Sequence, residues 1–391
     1  LNFAGADPSV HTCIFGKNTT EGINKLARRF PFTDQRRIVI TSGMEHHSND
    51  LPWRSVAEVI HVGLTPEGKL DEEIFDETLD RYSNQIALVA ITGASNVTGY
   101  INPYHRLAEK THKIGAKIAL DCAQLAPHRK VDMLPIDDPA HIDFLTISAH
   151  KLYAPFGTGA LIGLTEIFKD GEPDQTGGGT VDIVTLDDVI WTIPPERDEA
   201  GSPNTIGAVA FATAIHQLEK IGMDAVAAHE AKLTAYALER LNQLDGINIF
   251  GDSKIEQAQK RLGVIPFNFK EYSHFLAAAI LGYEFGIGIR NGCFCAHPYV
   301  LHLLDIPHET SREIQHQIKS GNRTEMPGFL RASFGLYNTT DDIDQLIDAL
   351  GSIQSGNFVG HYIQDHASGD YSPEGWEPNF EDYFSIPEMI G

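Results

Sequence analysis

The sequence predicts an α/β protein, a mostly parallel sheet with helices on both faces, followed by a smaller C-terminal α+β domain. Three observations carry that expectation. Short β-branched runs alternate with helix-like segments from residue 37 to 165, the runs are apolar throughout instead of at every second position, and polar residues gather where the runs end.

In order, residues 37–41 and 86–92 read as buried strands, 104–114 as an amphipathic helix, and 117–121, 144–148 and 159–164 as further strands. Residues 208–244 read as two long helices broken near Gly222, since glycine adds backbone freedom that a helix must lose. The spacing then changes: strands at 247–250, 263–269 and 329–334 are interleaved with a helix through 276–281. A closing helix at 340–353 carries Ile343, Leu346, Ile347 and Leu350 on one stripe. The expected divisions are a large domain over 1–225, a small domain over 226–353 and a tail over 354–391. That tail has no Lys or Arg but holds Tyr371, Trp376, Phe380, Tyr383 and Phe384, an aromatic content that suits packing on the body or on a second subunit.

Composition bounds the function. The 391 residues are 42% hydrophobic and 21% charged, which suits a globular chain of two domains. A formal charge of -23 disfavours nucleic acid as a partner, because phosphate binding rests on clustered cations. No apolar stretch reaches the roughly 18 residues of a membrane span, and no basic-then-apolar signal opens the chain. Cys13, Cys122, Cys293 and Cys295 are spaced unlike a disulfide framework, so a reducing compartment, the cytoplasm, is expected. The chain starts at Leu1 and enters a motif within about twenty residues, so a preceding N-terminal portion is expected.

Open α/β sheets bind ligands at the carboxyl ends of their strands, and the polar residues sit there: Glu45-His46-His47, Ser95-Asn96, Asp121 with Gln124, and Ser148-Ala-His150-Lys151. Lys151 closes an apolar strand, where desolvation frees an amine for Schiff-base chemistry. Pyridoxal 5'-phosphate needs such a lysine, a carboxylate on its pyridine nitrogen and a flat group on its ring, roles open to Lys151, Asp121 and His46. Asn18-Thr19-Thr20-Glu21 offers a helix N-terminus for the phosphate, with Ser148 and His150 as further donors. Each piece has a plainer reading beside this one: Thr-Thr-Glu as a helix cap, Asp121 as a cap, the histidines as surface residues.

Taken together, the motifs resemble those of the class V, fold type I, aminotransferase-like enzymes, and within them the group II cysteine desulfurases and selenocysteine lyases. The residues that carry the resemblance are Thr-Thr-Glu-Gly-Ile-Asn at 19–24, Glu-His-His-Ser-Asn at 45–49, Ser-Asn-Val-Thr-Gly at 95–99 and Asp-Cys-Ala-Gln at 121–124. They continue with Ser-Ala-His-Lys-Leu-Tyr at 148–153, Gly-Gly-Gly at 177–179, Glu-Ala-Gly-Ser-Pro-Asn-Thr at 199–205, Arg-Asn-Gly-Cys-Phe-Cys-Ala at 290–296 and Arg-Ala-Ser-Phe-Gly-Leu-Tyr-Asn at 331–338. The resemblance implies Lys151 as the Schiff-base lysine, Asp121 on the pyridine nitrogen, Gln124 on the phenolic oxygen, and His46 stacked on the ring and moving protons. It implies Thr19 or Thr20, Ser148 and His150 on the phosphate, and Asn96, Arg290 and Arg331 at the substrate. Gly178 and Ser202 would reach the partner subunit's cofactor, which implies a homodimer.

By the same resemblance Cys295 matches the cysteine that accepts sulfur, giving L-alanine from L-cysteine, a persulfide on the enzyme, and a sulfur-acceptor protein as a further partner. The family more often has histidines where Cys293 and Phe294 stand, and Gly-Cys-Phe-Cys is similar to the sulfurase domain of molybdenum-cofactor sulfurases. An aminotransferase, epimerase or C–S lyase on this fold, with Cys295 no nucleophile, is the alternative. Cys293, Cys295 and His297 alternate as metal ligands would, but a closed zinc site wants four and the sequence shows no fourth, so no metal is expected. Residues 301–327 are an added stretch relative to that group, with a helix over 309–319, either covering the site or binding the acceptor.

Overall fold

The computed structural model describes residues 1–379. Seven strands form the main sheet: β1 (His11–Gly16), β2 (Ile38–Ser42), β3 (Glu58–Val62), β4 (Ile86–Thr92), β5 (Lys117–Asp121), β6 (Phe144–Ser148) and β7 (Gly159–Leu164). Their order is β1-β7-β6-β5-β4-β2-β3. The neighbours from β3 through to β6 run parallel, while β7 is antiparallel to both β6 and β1. The strand expected at 159–164 is therefore present but reversed, a difference that composition cannot show, because β7 is buried along its whole length whichever way it runs.

Residues of β2, β4, β5 and β6 alternate between two cores, which is why these strands read as continuous apolar runs. Val39, Leu88, Ala90, Ala119 and Phe144 join Leu26, Phe30 and Trp53 on the face covered by the helix Thr19–Arg29. Ile40, Val89, Ile91, Ile118, Leu120, Leu145 and Ile147 join Leu107 and Ala108 of the helix Tyr104–Lys113 on the other. Phe144 is fully buried, and burying a side chain of that size contributes about 1.5–3 kcal/mol. Gly159 pairs with Ser148 across the β6–β7 ladder, and a Cβ there would lie 2.6 Å from the backbone of both Asn18 and Ile147, so the chain approaches itself there as only glycine permits.

After this sheet comes an exposed hairpin, β8 (Val181–Val184) with β9 (Val189–Trp191), and then the long helices Thr205–Ile221 and Met223–Leu241, which break at Gly222 as expected. A second, antiparallel sheet is built from β10 (Ile247–Ile249), β11 (Val264–Phe269), β12 (Arg290–Gly292) and β13 (Phe329–Ser333), in the order β10-β11-β13-β12. Its own core includes Leu238, Phe267, Ile280, Leu330 and the stripe Ile343, Leu346, Ile347 and Leu350 of the helix Thr340–Gln354. Cys293, Phe294, Tyr299 and Val300 instead pack into the core of the large sheet, which brings the cysteine segment to that body.

The added stretch contains the helix His308–Lys319, none of whose residues is buried. It is held from the side of the tail, where β14 (Tyr362–Gln364) and β15 (Tyr371–Pro373) form a hairpin. Arg323 Nη1 donates to the Ala367 carbonyl at 2.6 Å, and Gln364 Nε2 to that of Thr324 at 3.2 Å. Trp376 packs edge-on against Tyr283 with ring centroids 5.1 Å apart, so this part of the tail lies on the body. Phe380, Tyr383 and Phe384 lie outside the described residues. Among those described, no helix is long and apolar enough to cross a membrane.

Candidate active site

The carboxyl ends of β2, β4, β5 and β6 open into one cavity. Its lining includes Thr19, Thr20, His46, Asn96, Asp121, Gln124, Ser148, His150 and Lys151, all singled out from the sequence. Lys151 stands in a one-turn 3-10 helix, Ala149–Leu152, closed by Tyr153 in the left-handed region at φ 64°. Its Nζ donates to Gln124 Oε1 at 3.2 Å. Burial lowers the pKa of Lys151, with the Arg331 charge acting in the same sense against the pull of Asp121.

Asp121 ends β5 and is 4% exposed. Its Oδ1 accepts the Ala123 N–H at 2.9 Å, leaving Oδ2 to the cavity. Burial raises its pKa, against the Ala123 hydrogen bond and the Lys151 charge. His46 is turned by the Ser48 N–H, which donates to its Nδ1 at 3.1 Å and so puts the ring proton on Nε2. Burial, the Lys151 charge, His47 and Arg331 push its pKa down to about 4, so the ring is neutral at neutral pH.

The far end of the cavity is a cradle of hydroxyls and amides at a helix N-terminus. Asn18, not a threonine, caps the helix, accepting the Glu21 N–H at 3.0 Å, which leaves Thr19 and Thr20 in the first turn. Ser148 Oγ accepts the Thr19 N–H at 2.9 Å and donates to Thr19 Oγ1 at 3.0 Å, while Thr20 Oγ1 and Ser48 Oγ share a hydrogen bond of 2.7 Å. His150 stacks on Phe156 with centroids 5.1 Å apart.

Cys295 is exposed at the tip of a tight turn in which the Ala296 N–H reaches the Cys293 carbonyl at 2.9 Å. Both tip residues have positive φ, 51° at Phe294 and 56° at Cys295, a combination that turns usually give to Gly or Asn. Non-glycine residues held there cost on the order of 1–3 kcal/mol each and persist only where the surroundings fix them. Here His47 N–H donates to the Cys295 carbonyl at 2.7 Å and Asn96 Nδ2 to that of Phe294 at 2.8 Å. Cys293 is buried, donates Sγ–H to the Pro327 carbonyl at 2.9 Å, and has its thiol pushed up to about 12 by burial and by Cys295.

Arg331, in β13, donates Nη1–H to the Asn96 carbonyl at 2.7 Å, and its Nε is buried without a partner. Burial, with Arg290 opposite it in the ladder, lowers its pKa to about 10. Gly178 and Ser202 do not line the cavity; Gly178 accepts the N–H of Gly201 at 2.8 Å, so both sit on one exposed loop cluster. Asn18, Ser48, Thr92, Ala94 and Ala123 also line the cavity and were not singled out from the sequence, although Asn18, Ser48 and Ala123 lie inside quoted motifs.

A family model for aminotransferase class-V matches residues 2–346. The chain belongs to that family. A probable cysteine desulfurase of Halalkalibacterium halodurans is 35% identical over 361 residues, which are 90% of this chain and 80% of that protein. The cysteine desulfurase of Serratia proteamaculans is 33% identical over 354 residues, 88% of this chain and 79% of that one. Among solved structures, the apo cysteine desulfurase of Thermococcus onnurineus has a TM-score of 0.76 at 30% identity, covering 91% of this chain and 82% of its own. The cysteine desulfurase CsdA of Escherichia coli has a TM-score of 0.75 at 27% identity, covering 89% and 79%.

The chain is thus a pyridoxal-phosphate enzyme of the cysteine desulfurase kind, and the cavity fits that cofactor. Asp121 is a desolvated carboxylate with an oxygen free in the cavity, which a protonated pyridine nitrogen would complete. The buried amine of Lys151 and the cradle of Thr19, Thr20 and Ser148 would suit the other two attachments.

Among the described residues, His112, His141 and Asp143 bring three ligand atoms within 4.8 Å of one another. This group lies at the amino ends of β5 and β6, away from the cavity. The two imidazoles are stacked 4.0 Å apart with planes at 15°, so one ion cannot lie in both ring planes, as nitrogen coordination asks. The arrangement suits a carboxylate clamped by two rings.

Proposed function

We propose that the chain removes sulfur from L-cysteine, releasing L-alanine and leaving a persulfide on Cys295. The observation that carries this reading is the placement of Cys295, exposed, at the tip of a turn tied to both His47 and Asn96, residues of the two loops that wall the lysine cavity. Pyridoxal phosphate, once bound, supplies the electron sink that makes the α-carbon acidic and the carbon–sulfur bond labile.

The residues divide the remaining work. Thr19, Thr20, Ser148 and His150 would hold the phosphate, and Asp121 would keep the pyridine nitrogen protonated. Neutral His46 lies against the ring, and Gln124, which now accepts from Lys151, turns to the phenolic oxygen. Arg331 has Nε and Nη2 left for a substrate carboxylate, the side-on pair that binds such an anion in two parallel hydrogen bonds, with Asn96 and Arg290 beside it. Lys151, with its pKa lowered, takes the α-proton and returns one to complete alanine. Cys295 Sγ attacks the substrate sulfur: the carbon–sulfur bond breaks with its electron pair left on the carbon side, a sulfur–sulfur bond forms, and the proton that Cys295 gives up balances the one that completes the methyl group of alanine.

The exposure of Cys295 then admits a sulfur-acceptor protein. Gly178 and Ser202 complete the cofactor site of a partner subunit in a homodimer, and the four free cysteines suit a reducing compartment such as the cytoplasm.

Two variants test the proposal. Lys151→Ala is expected to give a colourless protein without the visible band of bound cofactor, and a retained band would remove Lys151 from its role. Cys295→Ala is expected to keep the band but lose alanine and persulfide formation from cysteine by at least about 100-fold. Unchanged turnover would remove Cys295 as the nucleophile, as in a C–S lyase, and amino-group transfer to a keto acid would reject the desulfurase reading in favour of an aminotransferase.

A further inference from the structure

We infer that Phe294 is a positioning residue that couples the carboxylate grip of Arg331 to the placement of Cys295. This rests on the roles of Arg331 and Cys295 proposed above.

Phe294 is the residue before the cysteine and is only 7% exposed. The Arg331 guanidinium lies over its ring, 4.6 Å from the centroid. A cation there is held by the electron-rich face of the ring, and a desolvated contact of this kind is stronger than an exposed one. The contact closes a triangle: Arg331 donates to the Asn96 carbonyl at 2.7 Å, and Asn96 Nδ2 donates to the Phe294 carbonyl at 2.8 Å. Ring and backbone of Phe294 are thus both fixed by the two residues that face the substrate.

The backbone says why such fixing is needed. Phe294 and Cys295 both sit at positive φ, where an ordinary side chain stays only under constraint, and Cys295 inherits its direction from the φ and ψ of Phe294. On the far side the turn is held at the Cys295 carbonyl by the His47 N–H. A substrate carboxylate that draws the Arg331 guanidinium moves the cation over the ring, and the ring moves the turn. Phe294 also covers one face of Arg331, keeping water from a guanidinium that must hold an anion. The aromatic ring, and not its volume alone, is what the geometry uses.

The experiment compares holoenzyme carrying Phe294→Ala, Phe294→Leu and Phe294→Trp with the unaltered protein. L-alanine, which has the carboxylate but no sulfur, is titrated by the visible absorption of the bound cofactor. Alkylation of Cys295 by iodoacetamide is followed by peptide mass with and without saturating L-alanine. In the unaltered protein, L-alanine should change the alkylation rate several-fold. In the Ala and Leu variants, L-alanine should bind about tenfold more weakly, the scale of a desolvated cation–π contact, and the alkylation rate should no longer respond to it. Trp should restore both.

A Leu variant that matches the unaltered protein in both readings would overturn the inference, because volume would then suffice. So would a Cys295 that still responds to L-alanine in the Ala and Leu variants, or an unaltered protein in which it never responds. Turnover of cysteine by Cys295→Ala would reject the desulfurase role alone, since alanine binding and alkylation judge Phe294 without that reaction.

Discussion

At the floor of the site, desolvation acts on three neighbouring groups with different results. It lowers the pKa of Lys151, raises that of Asp121, and drives Glu45, 3% exposed, up to about 8. Glu45 accepts from Ser42 Oγ at 2.5 Å and Asn49 Nδ2 at 2.7 Å, yet those bonds do not offset its burial, and the charge of Asp121 adds to the rise. It is therefore protonated at neutral pH. A carboxyl whose folded pKa lies above its unfolded one binds its proton more tightly when folded, so stability falls as pH rises from about 4.3 toward the folded value near 8. Glu45→Gln, which keeps the neutral shape, should remove that slope and stabilise the cofactor-free protein by about 2–3 kcal/mol at pH 7. Urea unfolding of both proteins between pH 5 and 8 measures it, and parallel slopes would show Glu45 ionised throughout.

Lys151, Asp121 and His46 were legible in the sequence because strand ends in an open sheet already say where a ligand goes. Thr92 and Ala94, which line the same cavity, were not legible, since a threonine at a strand end and an alanine in a loop have many plainer uses. The strain at Phe294 and Cys295 was hidden for a different reason: positive φ is invisible where the residue is neither Gly nor Asn.

At the scale of elements, β5 and β6 are fastened at the end opposite the cofactor by Asp143, 1% exposed. Its Oδ2 accepts the Ile118 N–H at 2.8 Å and meets His112 Nε2 at 2.9 Å, while Oδ1 faces Lys117 at 3.3 Å and His141 at 3.5 Å. Burial works to raise the Asp143 pKa, but His112, His141, Lys117 and the Ile118 N–H together hold it well below the ordinary carboxylate range. His141 is raised in turn: burial opposes the shift, and Asp143 with the Asp138 carbonyl overcomes it. The Asp143 contribution is present above about pH 3.9 and lost as pH falls below it. The His141 contribution is present below about pH 6.5 and lost as pH rises through its folded pKa. Both hold between those limits, so Asp143→Asn should cost about 3–5 kcal/mol near pH 5.5 and less than that at pH 8. Equal losses at the two pH values, by thermal or urea unfolding, would remove the His141 part of the clamp.

The same elements show how far sequence reaches. β2, β4, β5 and β6 were readable because covered faces make them continuously apolar, and the break at Gly222 fell where the helices part. β1, with His11, Thr12 and Gly16 in its course, gives no such run, and β3 is flanked by a neighbour on one side only and carries Glu58 and His61. The direction of β7 is set by its pairing with β1, a long-range fact, and by the short connection after β6, which is local and too short for a parallel crossover.

For the whole molecule, the proposed homodimer is where an unexplained surface and two unplaced residues meet. The hairpin β8–β9 leaves Ile183, Val184, Leu186 and Ile190 exposed, and Ile193, Ile206 and Val209 follow it, with Leu186 showing 104% of its reference area. Scattered apolar residues are ordinary on a surface, but a cluster of aliphatic side chains along one hairpin and the start of the next helix is costly to leave in water. Gly178 and Ser202, outside the cavity of their own subunit, lie on the loops that flank this hairpin in the chain. A two-fold contact through the hairpin would cover the aliphatic cluster on both subunits at once, as self-complementary interfaces do. It would also carry each loop pair toward the other subunit's phosphate cradle, so association and cofactor retention become one equilibrium. Leu186→Asp with Ile193→Asp places two charges in that contact without touching the cavity residues of either subunit. Sedimentation should then show a monomer, and on dilution the variant should lose its visible band at concentrations where the unaltered protein keeps it. A variant that stays dimeric would move the interface off the hairpin, and a monomer that retains cofactor as tightly as the dimer would show that Gly178 and Ser202 serve the fold of their own subunit alone.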